Sequence, residues 1–251
     1  MPRLLLNDEL WSKLRKSLLQ ERIYNKRDLR LMVEGMLYRM RIGCPWRDLP
    51  AAFGCWNSIY KKFNAWSASG KWFKVFKALV IAPDVEWIFI DGSYAKAHQH
   101  GGGAASDSDS DEGIGKSRAG NTTKIHLAVD GYGLPIDFDI TSGAIHDCKA
   151  APELIAKLPK AGAMIADKGY DSEAIRAQIA SQGSRAVIPR KRNSIKGNAD
   201  LDRGLYRYRH LVENAFARLK QYRALATRFD KLKRNYESVV AMACAFLWLP
   251  M

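Results

Sequence analysis

Apolar residues in the first part of the chain recur at helical spacing. Leu10, Trp11, Leu14 and Leu18 share one face behind Asn7 or Asp8, either of which can cap a helix start. A second stripe, from about Arg27 to Arg41, is made by Leu29, Met32, Val33, Met36, Leu37 and Met40. Gly43 ends it and Pro45 follows as a breaker. Beyond Pro50 and Gly54 the pattern predicts a third helix from Trp56 to Ser67. It buries Ile59, Phe63 and Trp66 and exposes Tyr60, Lys61, Lys62 and Asn64. A short fourth helix is predicted from Trp72 to Val80. Short helices with a basic third member predict an all-helical, helix-turn-helix-like domain over residues 1–80. Its Lys61 and Lys62 would be offered to a DNA major groove. The alternative for the same pattern is a helical bundle with a solvated basic face.

The period then changes. Trp87-Ile-Phe-Ile90 is an apolar run ending in Asp91-Gly92, which predicts a buried strand meeting a turn. Residues 124–130 and 135–141 alternate on either side of Gly131-Tyr-Gly133, which predicts a β-hairpin. Ala151 to Leu158 reads as a helix, Ala163 to Ala166 as a strand ending at Asp167, Ser172 to Ser181 as a helix, and Arg185 to Ile188 as a strand. From Leu205 the pattern is helical nearly to the end. Strands alternating with helices predict an α/β core over residues 81–251. Glycine, serine and alternating aspartate at about 99–120 supply no core residues and predict a flexible surface loop. Gly115-Lys116-Ser117 there looks like the end of a phosphate-binding loop, but Ser110 stands where that motif needs glycine, so nucleotide binding is rejected.

Composition narrows the function. In 251 residues, 40 Lys+Arg face 26 Asp+Glu, a formal charge of +14 that points to a polyanion, most often nucleic acid. The charge is unevenly spread: +9 over residues 1–75, −5 over 76–183 and +10 over 184–251. Four separated cysteines without a CxxC pair signal neither a disulfide framework nor a cysteine zinc site. Cys148 and Cys244 read as small core residues, and Trp46 and Trp56 as core anchors. No histidine grouping suggests a metal site, and His146-Asp147 follows the hairpin without an assigned role. The apolar run Ser238–Met251 is short for a membrane span and reads as a core helix. The chain start meets a charged helix too early for a signal peptide, so a cytoplasmic location is expected.

Two acids at strand ends, Asp91 and Asp167, project where open α/β sheets place ligands, and carboxylates there suit Mg²⁺. Each could also be a turn former beside a glycine. The predicted helix from Leu205 to Tyr222 adds a third acid. At about 100° per residue, Tyr206, Arg209, Glu213 and Lys220 fall within an arc of roughly 60°. Leu211, Ala215, Tyr208, Leu219 and Val212 form a separate apolar stripe. An i,i+4 ion pair accounts for Arg209 and Glu213 but leaves Tyr206 and Lys220 unexplained.

Tyr206-x2-Arg209-x3-Glu213-x6-Lys220 resembles the signature of the DDE transposases of bacterial insertion sequences. Arg228-Phe-Asp-Lys231, Gly43-Cys-Pro-Trp-Arg-Asp-Leu-Pro50, Asp91-Gly-Ser-Tyr94 and Asp167-Lys-Gly-Tyr-Asp171 are similar to blocks of insertion-sequence family five. The resemblance runs from about Leu6 to Leu249. It implies a ribonuclease-H-like mixed sheet flanked by helices, with Asp91, Asp167 and Glu213 as a catalytic, metal-holding triad. It also implies Mg²⁺ or Mn²⁺, with two ions able to activate water and stabilise the leaving oxygen. Tyr206, Arg209 and Lys220 would contact DNA near the scissile bond. The implied partners are double-stranded DNA at element ends and target, and a second copy of the chain on that DNA. No membrane is implied, and a nucleoid-associated location is expected. The alternatives are a metal-dependent nuclease without strand transfer and a non-enzymatic DNA-binding regulator derived from a transposase.

Overall fold

The computed structural model describes residues 2–101 and 112–251. In chain order the elements are α1 (Asp8–Gln20), α2 (Leu29–Ile42), α3 (Trp56–Ala68), α4 (Lys71–Leu79), β1 (Trp87–Ala97), β2 (Gly115–Ser117), β3 (Gly120–Val129) and β4 (Pro135–Ser142). They continue as α5 (Asp147–Lys157), β5 (Ala163–Ala166), α6 (Glu173–Ser181), β6 (Arg185–Val187), α7 (Arg203–Tyr206), α8 (His210–Lys220), α9 (Arg223–Ala226), β7 (Thr227–Arg228) and α10 (Lys233–Trp248). Two compact units emerge. One comprises Met1–Ile81, Ala97–Glu112 and Leu219–Met251; the other comprises Ala82–Lys96 and Gly113–Arg218.

The first unit is helical. The Asn7 side chain accepts the Leu10 N–H at 2.8 Å, capping α1 as its position predicts. α3 buries Ile59, Phe63 and Trp66 and leaves Lys61 and Lys62 exposed. The apolar C-terminal run is α10, packed against α3 and α4 and buried along most of its length. Among the described residues no helix is long and apolar enough to cross a membrane. Trp46 packs on Tyr60 and Phe63, and the Arg39 guanidinium lies 4.9 Å from its ring centre. Arg39 also makes a two-pronged ion pair with Asp230 at 3.0 and 3.2 Å, with both side chains buried. Arg228, fully buried, donates to the carbonyls of Asp230 and Lys231 and fixes the loop before α10.

The second unit is α/β. β3 lies between β1 and β4 with antiparallel pairing on both sides, while β5 pairs in parallel with β1 and β6 in parallel with β5. This order, antiparallel on one side of β1 and parallel on the other, is the ribonuclease-H-like mixed sheet that the resemblance implies. The predicted hairpin is β3 and β4. Residues 102–111 of the expected loop lie outside the described residues; Gly115–Ser117, expected in the same loop, forms β2 on the start of β3.

Three expectations need correction. β1 does not stop at Ile90 but runs on through Asp91 to Ala97, because β3 continues to supply hydrogen-bonding partners as far as Lys96 opposite Thr122. α5 starts at Asp147 rather than Ala151 and carries Pro152 inside it. The chain after Leu205 is not one helix. A 3₁₀ turn at Arg207–Arg209 separates α7 from α8, and α9 and β7 precede α10.

Arg39→Met would strand the Asp230 carboxylate in the core and is expected to lower unfolding free energy in urea by about 3–5 kcal/mol. Adding Asp230→Asn removes the stranded charge and should recover most of that loss. A double variant no more stable than Arg39→Met would show that the charge pair is not the cause.

Candidate active site

The site begins with strand register. β1 and β5 run parallel with Ile90 opposite Ala166, so Asp91 and Asp167 are the next residues on two neighbouring chain segments. Asp91 lies within a strand, which removes the turn-former explanation for it. Asp167 does form a turn: its Oδ1 accepts the Gly169 N–H at 2.7 Å and caps a 3₁₀ turn at Lys168–Tyr170. Burial raises the Asp91 carboxyl above the usual range and the nearby Asp167 charge adds to this, while the Gly92 N–H and Arg209 oppose it.

Glu213 sits in the first turn of α8. One guanidinium joins it to the first acid. Arg209 Nη1 donates to Asp91 Oδ2 at 2.9 Å, and its Nη2 donates to Glu213 Oε1. Burial alone would depress the Arg209 pKa, but the charges of Asp91 and Glu213 outweigh it and raise the value. Tyr206 is half-buried; burial and the Asp167 and Asp91 charges raise its phenol against the opposing Arg209. The structure thus gathers Asp91, Asp167, Arg209, Glu213 and Tyr206 in the α/β unit. Lys220, the last residue of α8, falls in the helical unit, half-buried, with its ammonium pKa pushed down by burial. Lys61 and Lys62 also belong to the helical unit.

The 3₁₀ turn changes the helical arithmetic. Three residues at about 120° each, rather than about 100°, rotate Tyr206 by roughly 60° relative to Glu213. The expected apolar stripe is altered as well. Val212, Ala215 and Leu219 are buried, but Tyr208 is 46% exposed and stacks on Trp87 at 5.5 Å between ring centres.

A second charged group on the α5 side of β1 was missed in the sequence. Alternation turns Gly92 to the face opposite Asp91. There a Cβ on Gly92 would stand 2.6 Å from Asp147 Oδ1 and 2.7 Å from Lys124 Cε. A Cβ on Gly169 would meet Asp167 Oδ1 at 2.8 Å and Asp147 Oδ2 at 3.4 Å. Gly92 therefore clears space for Asp147 and Lys124, and Gly169 for the Asp167 carboxylate that caps its turn. Lys124 Nζ pairs with both Asp147 oxygens, at 2.6 and 2.7 Å, and lies 4.7 Å from the Tyr94 ring centre. The Tyr170 hydroxyl is buried without a well-formed hydrogen bond, and its pKa is raised well above its usual value by burial and then by Asp147, Asp91 and Asp167. His126 is fully buried, with Nε2 at 2.9 Å from Thr141 Oγ1. Its pKa is lowered to about 4 by burial, with Lys124 adding and Asp147 opposing. A lysine within the alternating run 124–130 was the available signal, since a charge inside a buried strand demands a partner.

The donor set is carboxylate oxygen, which fits a hard divalent ion. Among the described residues no three His, Cys, Asp or Glu side chains stand close enough to hold one as they are. The positive charge between Asp91 and Glu213 is supplied by Arg209.

Comparison with known proteins bears on this geometry. The profile of the family described as "Transposase DDE domain" matches residues 86–248, and a profile named for transposases of the IS4/5 family matches residues 6–76. A Brucella ovis protein named as the transposase for insertion sequence element IS6501 is 39% identical over 129 residues, 51% of this chain and 98% of its own. The transposase for insertion sequence element IS1106 of Neisseria meningitidis is 32% identical over 127 residues, 48% of this chain and 44% of its own. Among solved structures, the piggyBac transposase synaptic complex with hairpin DNA is 10% identical, with a TM-score of 0.43 over 76% of this chain and 50% of that one.

The buried imidazole makes an acid-sensitive core. His126 titrates at about 4 in the folded protein and about 6.5 when unfolded, so stability is full above pH 6.5 and falls as pH drops toward 4. The expected loss is about 3 kcal/mol. Urea melts at pH 7 and pH 4.5 should show the wild type losing about 2–3 kcal/mol more than His126→Gln. Equal losses would mean that another group carries the acid sensitivity.

Proposed function

This chain belongs to the DDE transposase family, and from that premise we propose that it cuts and joins DNA at the ends of an insertion sequence. It binds the terminal inverted repeats, hydrolyses a phosphodiester bond at each element end and transfers the freed 3′-hydroxyl to target DNA. One observation carries the reading. Two carboxylates leave adjacent parallel segments side by side, and a third is tied to the first by a single cation.

In this reading Asp91, Asp167 and Glu213 hold two divalent ions, Mg²⁺ or Mn²⁺. When bound, such ions activate the attacking oxygen and stabilise the leaving one. The protein's own groups do the positioning. Asp167 is fixed by the Gly169 N–H and Asp91 by the Gly92 N–H, so neither carboxylate is free to swing. Arg209 neutralises Asp91 and Glu213 until DNA arrives, then exchanges a carboxylate for a phosphate oxygen of the same geometry. Tyr206 stacks or hydrogen-bonds beside the scissile bond, and Lys220 contacts a flanking phosphate. Lys61 and Lys62 on α3 contact the repeat sequence. The functional partners are double-stranded DNA and a second copy of the chain on paired ends. The location is cytoplasmic and nucleoid-associated.

Asp91→Asn, Asp167→Asn and Glu213→Gln are each expected to slow Mn²⁺-dependent cleavage of a labelled element end by roughly a thousandfold while leaving gel-shift affinity nearly intact. A pre-cut end with a free 3′-hydroxyl should fail to join plasmid DNA with the same variants. Joining by Asp91→Asn protein would sink the triad assignment. Cleavage without joining by the wild type would leave a nuclease.

A further inference from the structure

The helical unit carries a cavity of about 190 Å³ that no pattern along the chain announces. It opens between the turn after α1, the start of α2, and α3 and α4. Arg22, Lys26, Lys62 and Lys71 line it together with Tyr24 and Trp66. No carboxylate lines it, and among the described residues none of the four cations has an ion-pair partner. Four like charges around one concavity repel each other, and an anion seated among them reverses the sign of the interaction.

The end of α1 sets one wall of the cavity. Arg22 holds a left-handed backbone, φ +58°, which a non-glycine residue rarely adopts. That conformation is fixed on three sides. The Arg22 N–H donates to the Leu19 carbonyl and the Ile23 N–H to the Leu18 carbonyl, both at 3.0 Å. The Arg22 carbonyl accepts from Lys71 Nζ at 3.1 Å. Ile23, Leu29 and Trp66 are buried and form an apolar floor. Tyr24 stands 82% exposed at the rim. Cations around an aromatic edge are the combination that grips a phosphodiester and packs on the attached nucleotide.

We propose that this cavity is a DNA-phosphate subsite of the helical unit. Arg22, Lys26, Lys62 and Lys71 hold the backbone, and Tyr24 packs on the adjoining nucleotide. The proposal rests on the chain acting on DNA as argued above. It also separates two lysines that sequence reasoning treated alike: Lys62 lines the cavity and Lys61 does not. A phosphate grip fixes the register of the duplex without reading its sequence.

Arg22→Gly tests this cleanly, because glycine suits the φ of +58° and removes only the cation. The full chain, its Arg22→Gly/Lys62→Gln variant and Lys74→Gln are compared. Lys74 is exposed on α4 and outside the cavity lining, so its loss measures the effect of charge alone. Binding of two fluorescent 25-base-pair duplexes of unrelated sequence is followed by anisotropy across a KCl series. Melting curves check that each protein is folded. The slope of log K against log[KCl] should fall by about 1 for each cation removed, with about five- to tenfold weaker binding per cation at 0.1 M salt, equally on both duplexes. A double variant that loses no more affinity per cation removed than Lys74→Gln, or one weakened on a single sequence only, overturns the phosphate subsite. Wild-type protein that neither binds nor cuts any duplex overturns the proposed function instead, whereas wild-type activity with an unchanged double variant overturns the subsite alone.

Discussion

The parallel register of β1 on β5, with Ile90 opposite Ala166, is the constraint from which the acid site follows. Once that pairing is set, the next residue of each segment, Asp91 and Asp167, is placed beside the other. Two carboxylates so placed repel, and burial of Asp91 adds to the cost of keeping it charged. The α/β unit answers with cations. Arg209 bridges Asp91 and Glu213 on one side of β1, and Lys124 pairs with Asp147 on the α5 side. Each cation offsets part of the repulsion among the carboxylates beside it.

The two cations are not equivalent. Lys124 is almost wholly buried and held by both Asp147 oxygens, with the Tyr94 ring over it. Removing it would strand a carboxylate next to a neutral imidazole and an unsatisfied phenol. Arg209 is more exposed, and Glu213, one of its two partners, is half open to solvent. An exposed ion pair is weak and exchanges readily. The same charge logic therefore yields a buried cation held by one carboxylate and a more exposed one shared between two. Arg209 lies in the field of all three acids that the transposase reading requires.

Much of this was legible in the sequence, and the exceptions share a physical cause. Periodicity located the four N-terminal helices, the hairpin, and β5 and β6 within a few residues, since apolar spacing directly reflects which face is buried. Asp91 was read as a strand end because Asp-Gly is a turn signal. In the fold, Gly92 serves a different need: it makes room for Asp147 against the strand. No local pattern distinguishes a glycine that turns the chain from one that admits a distant side chain. Lys124 offered a local signal, but its grouping with His126, Asp147 and Tyr170 did not. They are brought together from β3, the start of α5 and the turn after β5, and only the register of the sheet joins them.

The helix carrying Glu213 shows where spacing is a strong guide and where it fails. Arg209 and Glu213 stand four residues apart, and a 3₁₀ turn ending at Arg209 leaves their separation almost unchanged, so the pair survives. Tyr206 lies across that turn, and its angular position is reset by it. Tyr206 nevertheless remains within the field of Arg209, Asp167 and Asp91. A 3₁₀ turn is longer per residue than an α-helical one, so it shifts the ring along the axis as well as around it. A signature defined by sequence spacing thus need not describe one helical face. It can encode a break that sets the acid and its cation at one height along the axis and the aromatic ring at another.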